Sequence, residues 1–167
     1  DKALSNDSIE NYPWAFTMHG LIAQEQGKLG KAIESFKKVI ENDPNFGVGY
    51  INLSNALRLN NKLDEAEISA RQAIQLMPQE QDGYSSLALV LMEKGQKDQA
   101  LEQMNKAIKI GSADPGSYLG LGKLLHHLGR YEDAIKAFNK SSELSPAAES
   151  LIGAAQSSIA LKKESEA

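Results

Sequence analysis

Alanine recurs at equal intervals, at Ala32, Ala66, Ala100 and Ala134, and this period restricts the fold more than any other feature of the chain. Twelve residues before each alanine stands a small residue: Gly20, Ser54, Ala88 or Gly122. Four residues further back stands an aromatic one: Phe16, Tyr50, Tyr84 or Tyr118. Gly27, Asn61, Gly95 and Gly129 form a fourth column, and Pro44, Pro78 and Pro146 follow three of the alanines by twelve residues. Five columns sharing one period are not a coincidence.

Each column has a physical role. Gly and Asn best tolerate the left-handed conformation that ends a helix, so the fourth column closes the first helix of each unit. Proline cannot continue a helix and closes the second. In the third unit Gly111 replaces that stop, with Asp114-Pro115 just beyond it. The small residues and the alanines mark where the two helices of a unit cross, because larger side chains would push the backbones apart. The aromatic residue fills the gap between neighbouring units. Helical spacing is visible within them: Tyr50, Leu53, Ala56 and Leu57 share a face, as do Tyr118, Leu121, Leu124 and Leu125. The pattern predicts first helices near 13–26, 47–60, 81–94 and 115–128, and second helices near 30–43, 64–77, 98–110 and 132–145. Asp64 and Asp98 are the expected N-caps.

Composition agrees with an all-helical chain. Ala, Leu, Lys, Glu and Gln outnumber Val, Ile and Thr, and only 6% of the 167 residues are aromatic. The net charge of −4 argues against general nucleic-acid binding, since an acidic chain repels phosphate. The absence of cysteine excludes disulfides and thiol catalysis but says little about compartment. No run approaches the ~18 apolar residues needed to span a bilayer.

The order aromatic, Leu, small, Ala, Phe or Ala, Pro within each period resembles the tetratricopeptide repeat. The fourth unit carries the pattern most fully, with Tyr118, Leu121, Gly122, Gly129, Tyr131, Ala134, Phe138 and Pro146. The first departs from it with His19, expected as a hydrogen-bonded core histidine, and Ala23. The resemblance implies an all-α, right-handed α-solenoid of antiparallel helix pairs. Four repeats would occupy 13–46, 47–80, 81–114 and 115–148. Residues 1–12 read as a lead-in or the remnant of a preceding repeat, Lys2-Ala3-Leu4 resembling the tail of a second helix. Residues 149–167 read as a capping helix and tail. In it Ile152, Ala155 and Ile159 would continue the register, while Gln156, Ser157, Ser158, Lys162 and Lys163 face outward as a solubility cap.

By the same resemblance the first helices line a concave side. Its positions include Thr17, Leu21 and Gln24; Ile51, Asn52, Asn55 and Arg58; Ser86 and Leu89; and Leu119 and Lys123, the expected peptide-binding residues. A solvated face would carry Lys and Glu, whereas this one carries Leu21, Ile51, Leu89 and Leu119 with Met18 and Met92, which suggests a protein-binding surface. The alternative is that curvature buries these residues against neighbouring repeats. Asn52, Asn55 and Arg58 form one stripe, where the amides can pair with a ligand backbone or bond to neighbouring helices.

The clamp by which some family members grip a chaperone's C-terminal carboxylate is not matched. Its positions read Thr17, Leu21, Asn52, Asp82 and Ser86, and Asp82 would repel the ligand. Tyr50-Ile51-Asn52-Leu53-Ser54-Asn55 resembles a single rung of the asparagine ladder of the O-linked N-acetylglucosamine transferase array.

The chain is not expected to be an enzyme or to need a cofactor or metal. His126 and His127 are adjacent and point about 100° apart, unlike chelating i, i+4 histidines, so both are expected to be solvated. Ser85-Ser86 and Ser157-Ser158 have no base at helical spacing. Gly27-Lys28-Leu29-Gly30 and Gly120-Leu121-Gly122-Lys123 lack the context of a phosphate loop. The leading expectation is therefore a module that binds a protein or peptide in its concave groove, as adaptor or assembly scaffold. Alternatives are a self-associating scaffold and the repeat portion of a larger enzyme such as a glycosyltransferase.

Overall fold

The structure, a computed structural model, describes residues 13–111 and 114–166. The expectation for residues 1–12 lies outside them. The described residues form nine helices and no strand. The first helices of the repeats are α1 (Pro13–Glu25), α3 (Gly47–Leu59), α5 (Gln81–Glu93) and α7 (Pro115–His127). The second helices are α2 (Leu29–Asn42), α4 (Leu63–Leu76), α6 (Lys97–Ile110) and α8 (Tyr131–Leu144). A last helix, α9, spans Ala148–Ser165. The chain divides into two compact units, Asp1–Pro78 and Gln79–Ala167. In the first unit α1 packs on α2, α2 on α3 and α3 on α4, and α1 also touches α3. In the second, α5 to α9 pack in the same succession, and α7 touches both α5 and α9.

The column that ends each first helix behaves as its chemistry requires. Gly27, Asn61, Gly95 and Gly129 all have positive φ, between 59° and 76°. Each donates its N–H to the carbonyl three residues back, as in Gly27 to Gln24, and the next residue donates five back, as in Lys28 to Ala23. This double bond pattern satisfies carbonyls that the helix end would otherwise leave unpaired. The prolines act one residue ahead of themselves. Asp43 and Ser145 adopt extended backbone after α2 and α8, because the proline ring disfavours a helical predecessor.

The expected N-caps are corrected by two residues, to Lys62 and Gln96. α4 and α6 begin at Leu63 and Lys97, so Asp64 and Asp98 lie inside the first turn and not at the cap. A carboxylate there still favours the helix through the partial positive charge of its N-terminus. The side-chain cap the structure does show is Asp114, which accepts the Ser117 N–H ahead of Pro115 at the start of α7.

The crossing column carries the core. A β-carbon added to Gly20 would lie 2.4 Å from the Phe36 ring, and one added to Gly122 would lie 2.6 Å from Phe138. The same two columns read Ser54 with Ala70 and Ala88 with Met104. In the first, third and fourth repeats a small residue on the first helix accompanies a large one on the second, and the sizes offset each other within close-packed interiors, whereas in the second repeat both are small. Phe36, Leu57, Leu87, Leu91, Met104 and Leu124 are fully buried around these crossings. Ser54 tolerates full burial because its hydroxyl donates to the Ala66 carbonyl at 2.8 Å.

Candidate functional site

In the first unit the exposed large apolar side chains gather on the first helices. Trp14, Met18, Leu21 and Ile22 on α1 and Val48 and Leu59 on α3 are exposed, whereas α2 and α4 expose only Ile68. Around them, Thr17, Gln24, Asn52, Asn55 and Arg58 are half-buried. Thr17, Asn55 and Arg58 already hold interactions within the chain. Ile51 is only 8% exposed, so burial claims one of the apolar residues expected on the binding face.

In the second unit Leu89, Leu119 and Lys123 are half-buried, and Ser86 is buried at 3% exposure. Ser85 approaches Ser117 of α7 with 3.4 Å between hydroxyl oxygens, tying α5 to α7. Lys123 reaches across to Glu149 of α9. Beside that ion pair a cleft of about 430 Å³ opens between α7 and α9, lined in part by His127, Ile152 and Gln156. The face assigned to the first helices therefore continues onto α9.

The sequence pattern missed that continuation because the register slips. α3, α5 and α7 start at Gly47, Gln81 and Pro115, each one full period after the preceding first helix, but α9 starts at Ala148, one residue early. The slip turns the helix by one residue and overturns the expected facing. Ser150, Gly153 and Ser157 are buried, while Ile152 and Ile159 are 55% and 58% exposed and Ala155 is exposed too. Gly153 lies against Phe138, where a β-carbon would come within 2.6 Å of the ring. The i, i+3, i+7 spacing of Ser150, Gly153 and Ser157 was the legible signal of a close-approach face.

Small polar residues suit that face because their hydroxyls have partners. Ser141 of α8 donates to the Pro115 carbonyl at 2.8 Å, so Ser150 donates to Ser141 across 2.9 Å. Ser157 donates to the Gly153 carbonyl at 2.8 Å and lies 2.9 Å from Nδ1 of His126. With its own proton committed, Ser157 accepts, and His126 carries the proton on Nδ1. The expectation that both histidines are solvated holds for His127 alone. His126 is half-buried, packs edge-on to Tyr131 at 5.3 Å and pins α9 to α7. His19, expected in the core, is exposed. Its counterpart Leu121 rests, like Leu101 of the preceding second helix, on the core cluster around Phe138, and no described helix precedes α1.

The glycines of Gly120-Leu121-Gly122-Lys123 serve packing: a β-carbon at Gly120 would lie 2.8 Å from Met104. Among the described residues no three His, Asp or Glu side chains gather as a metal site, and no helix is long and apolar enough to cross a membrane.

Three family profiles match the sequence. Two are described as tetratricopeptide repeat, over residues 15–46 and 35–68, and one as anaphase-promoting complex, cyclosome, subunit 3, over residues 59–141. Comparison with curated proteins gives no match. Among solved structures, a thermophilic tetratricopeptide protein of Thermus thermophilus superposes with a TM-score of 0.78 at 22% identity, over 90% of this chain and 81% of that one. MamA superposes at 0.63 with 20% identity, over 90% and 88%. YrrB, described as having an unusual peptide-binding site, superposes at 0.62 with 18% identity, over 90% and 78%. At these identities the likeness carries the fold.

Proposed function

The chain belongs to the tetratricopeptide repeat family of protein-interaction modules, and we propose that it holds an extended segment of a partner protein on the first-helix face of its units. One observation carries this reading. In the first unit the exposed apolar side chains Trp14, Met18, Leu21, Ile22, Val48 and Leu59 lie on α1 and α3, while the second helices expose Ile68 alone. Apolar patches of this kind favour association with protein. Met18 supplies an adaptable contact, and the amides of Asn52 and Asn55 can donate to and accept from a peptide backbone.

In the second unit the corresponding contacts come from Leu89, Leu119 and Lys123, extended by Ile152 and Gln156 of α9. Ile51 and Ser86 are left out of the contact set because they are buried. Gln24 and Thr17 flank Leu21 on α1 and complete the polar margin there.

Panning a displayed random-peptide library against the whole chain tests the proposal. Enriched peptides are expected to bind Leu21→Ser and Asn55→Ala variants several-fold more weakly, with helicity unchanged. Equal binding by both folded variants would remove the first-helix face as the site.

A further inference from the structure

A second surface lies on the other side of the fourth repeat. α6, α7 and α8 enclose a cleft of about 330 Å³, within the size range of sites that accept small groups. Its floor is apolar: Leu101 of α6, Tyr118, Leu121 and Leu125 of α7, and Ala137 of α8. Leu101 and Leu121 are only partly buried and rest on the core cluster around Phe138. Its rim carries Arg130, Lys136 and Lys140 against Asp133, with Glu143 paired to Lys140 beside it.

The same positions in the first unit, two periods earlier, are closed and lack this rim. Leu101 and Leu121 correspond to Ile33 and Leu53, both buried. Lys136 and Lys140 correspond to Ile68 and Gln72, so only the Arg130 position keeps a cation, Lys62, paired with Glu65 at 3.1 Å as Arg130 is with Asp133. An open apolar floor under a basic rim is therefore a property of this repeat and not of the fold.

We propose that this cleft docks a short acidic segment of a partner protein, inserting one phenylalanine- or leucine-sized side chain between α6 and α8. Charge complementarity selects the acidic flanks. Arg130 grips Asp133 through two nitrogens at 2.6 and 3.1 Å, and Lys136 stands 3.5 Å from the same carboxylate. The Arg130 guanidinium holds the Asp133 carboxyl below its ordinary value, so it stays ionised and keeps Arg130 in place. Lys140 pairs with Glu143 on the exposed surface at 3.0 Å, a contact that water and salt weaken and a ligand carboxylate can replace. Lys136, at 3.5 Å from a carboxylate that Arg130 already bonds, and Lys140, in its exposed pair, can exchange these contacts for acidic residues on either side of the inserted side chain. The same charges disfavour a basic or neutral segment.

The test uses the full chain and a fluorescein-labelled peptide, Glu-Asp-Glu-Phe-Glu-Asp-Glu, with a partner in which serine replaces phenylalanine. Fluorescence anisotropy at low salt is expected to show saturable binding of the first, about fivefold tighter than the second. The double variant Lys136→Glu, Lys140→Glu changes only exposed side chains and is expected to bind about tenfold more weakly. Methyl signals of Leu101 and Leu121 should move on titration. Absence of saturation by about 1 mM, equal affinity for both peptides, or indifference to the charge reversal would overturn the proposal. Loss of binding in Asn55→Ala, with Leu101 and Leu121 unmoved, would overturn it too while leaving the first-helix reading intact.

Discussion

Two glycines of similar sequence context have opposite requirements. Gly122 cannot accept a methyl group without displacing the Phe138 ring, whereas nothing lies within 4 Å of a β-carbon at Gly30 on α2. Gly122→Ala should therefore destabilise by about 1–3 kcal/mol through overpacking. Gly30→Ala should stabilise by about 0.5–1 kcal/mol, because alanine loses less backbone entropy in a helix. Thermal melts of the two variants check the opposed signs. The left-handed column offers a different contrast: Gly95→Ala should cost about 1 kcal/mol at φ +76° although the space is open. Asp133 titrates below the ordinary aspartate value because Arg130 bonds its carboxylate. A depressed folded value means its favourable contribution is present above the unfolded value and lost as pH falls through the folded one. A carbon-detected NMR titration should show that midpoint rising in Arg130→Ala.

At the scale of elements, α9 shows how a helix is held by small residues. Its inner face offers Ser150, Gly153 and Ser157, and the hydroxyls compensate for their own burial by bonding Ser141, the Gly153 carbonyl and His126. Ser157→Ala removes the acceptor for His126 Nδ1 and leaves a half-buried donor without its partner, at about 1 kcal/mol. Amide hydrogen exchange in α9 should then quicken roughly fivefold, while α1 to α4 exchange as before. Unchanged exchange in α9 would show that Phe138 against Gly153 suffices to hold the helix.

For the whole molecule, neighbouring elements stabilise each other, so a truncation should be felt locally. Removing residues 148–167 uncovers Phe138 and Ser141. It should lower the melting temperature of α7 and α8 while leaving exchange in α1 to α4 near native. The helices, the stops after the first helices and the crossings were legible from the repeat alone, because each depends on contacts within a single repeat period, while the second helices begin one residue ahead of the expected positions. Gly27, Asn61, Gly95 and Gly129 read as helix stops, and Pro44, Pro78 and Pro146, twelve residues after the crossing alanines, read as the ends of second helices, whereas Pro13 and Pro115 begin helices. Asp64 and Asp98 lie two residues inside the caps Lys62 and Gln96, because a first-turn carboxylate and a capping one look alike in sequence. Tertiary packing decided which residues are accessible. Ile51 and Ser86 are buried although their positions read as surface, and Ile152 and Ile159 are exposed although they read as packing residues. The open cleft beneath Lys136 and Lys140 has its closed counterpart at the same positions of the first unit, so no repeat pattern could have announced it. Periodicity fixes which face a residue occupies, but exposure depends on whether another element covers that face. A one-residue shortening before α9 was enough to exchange the two.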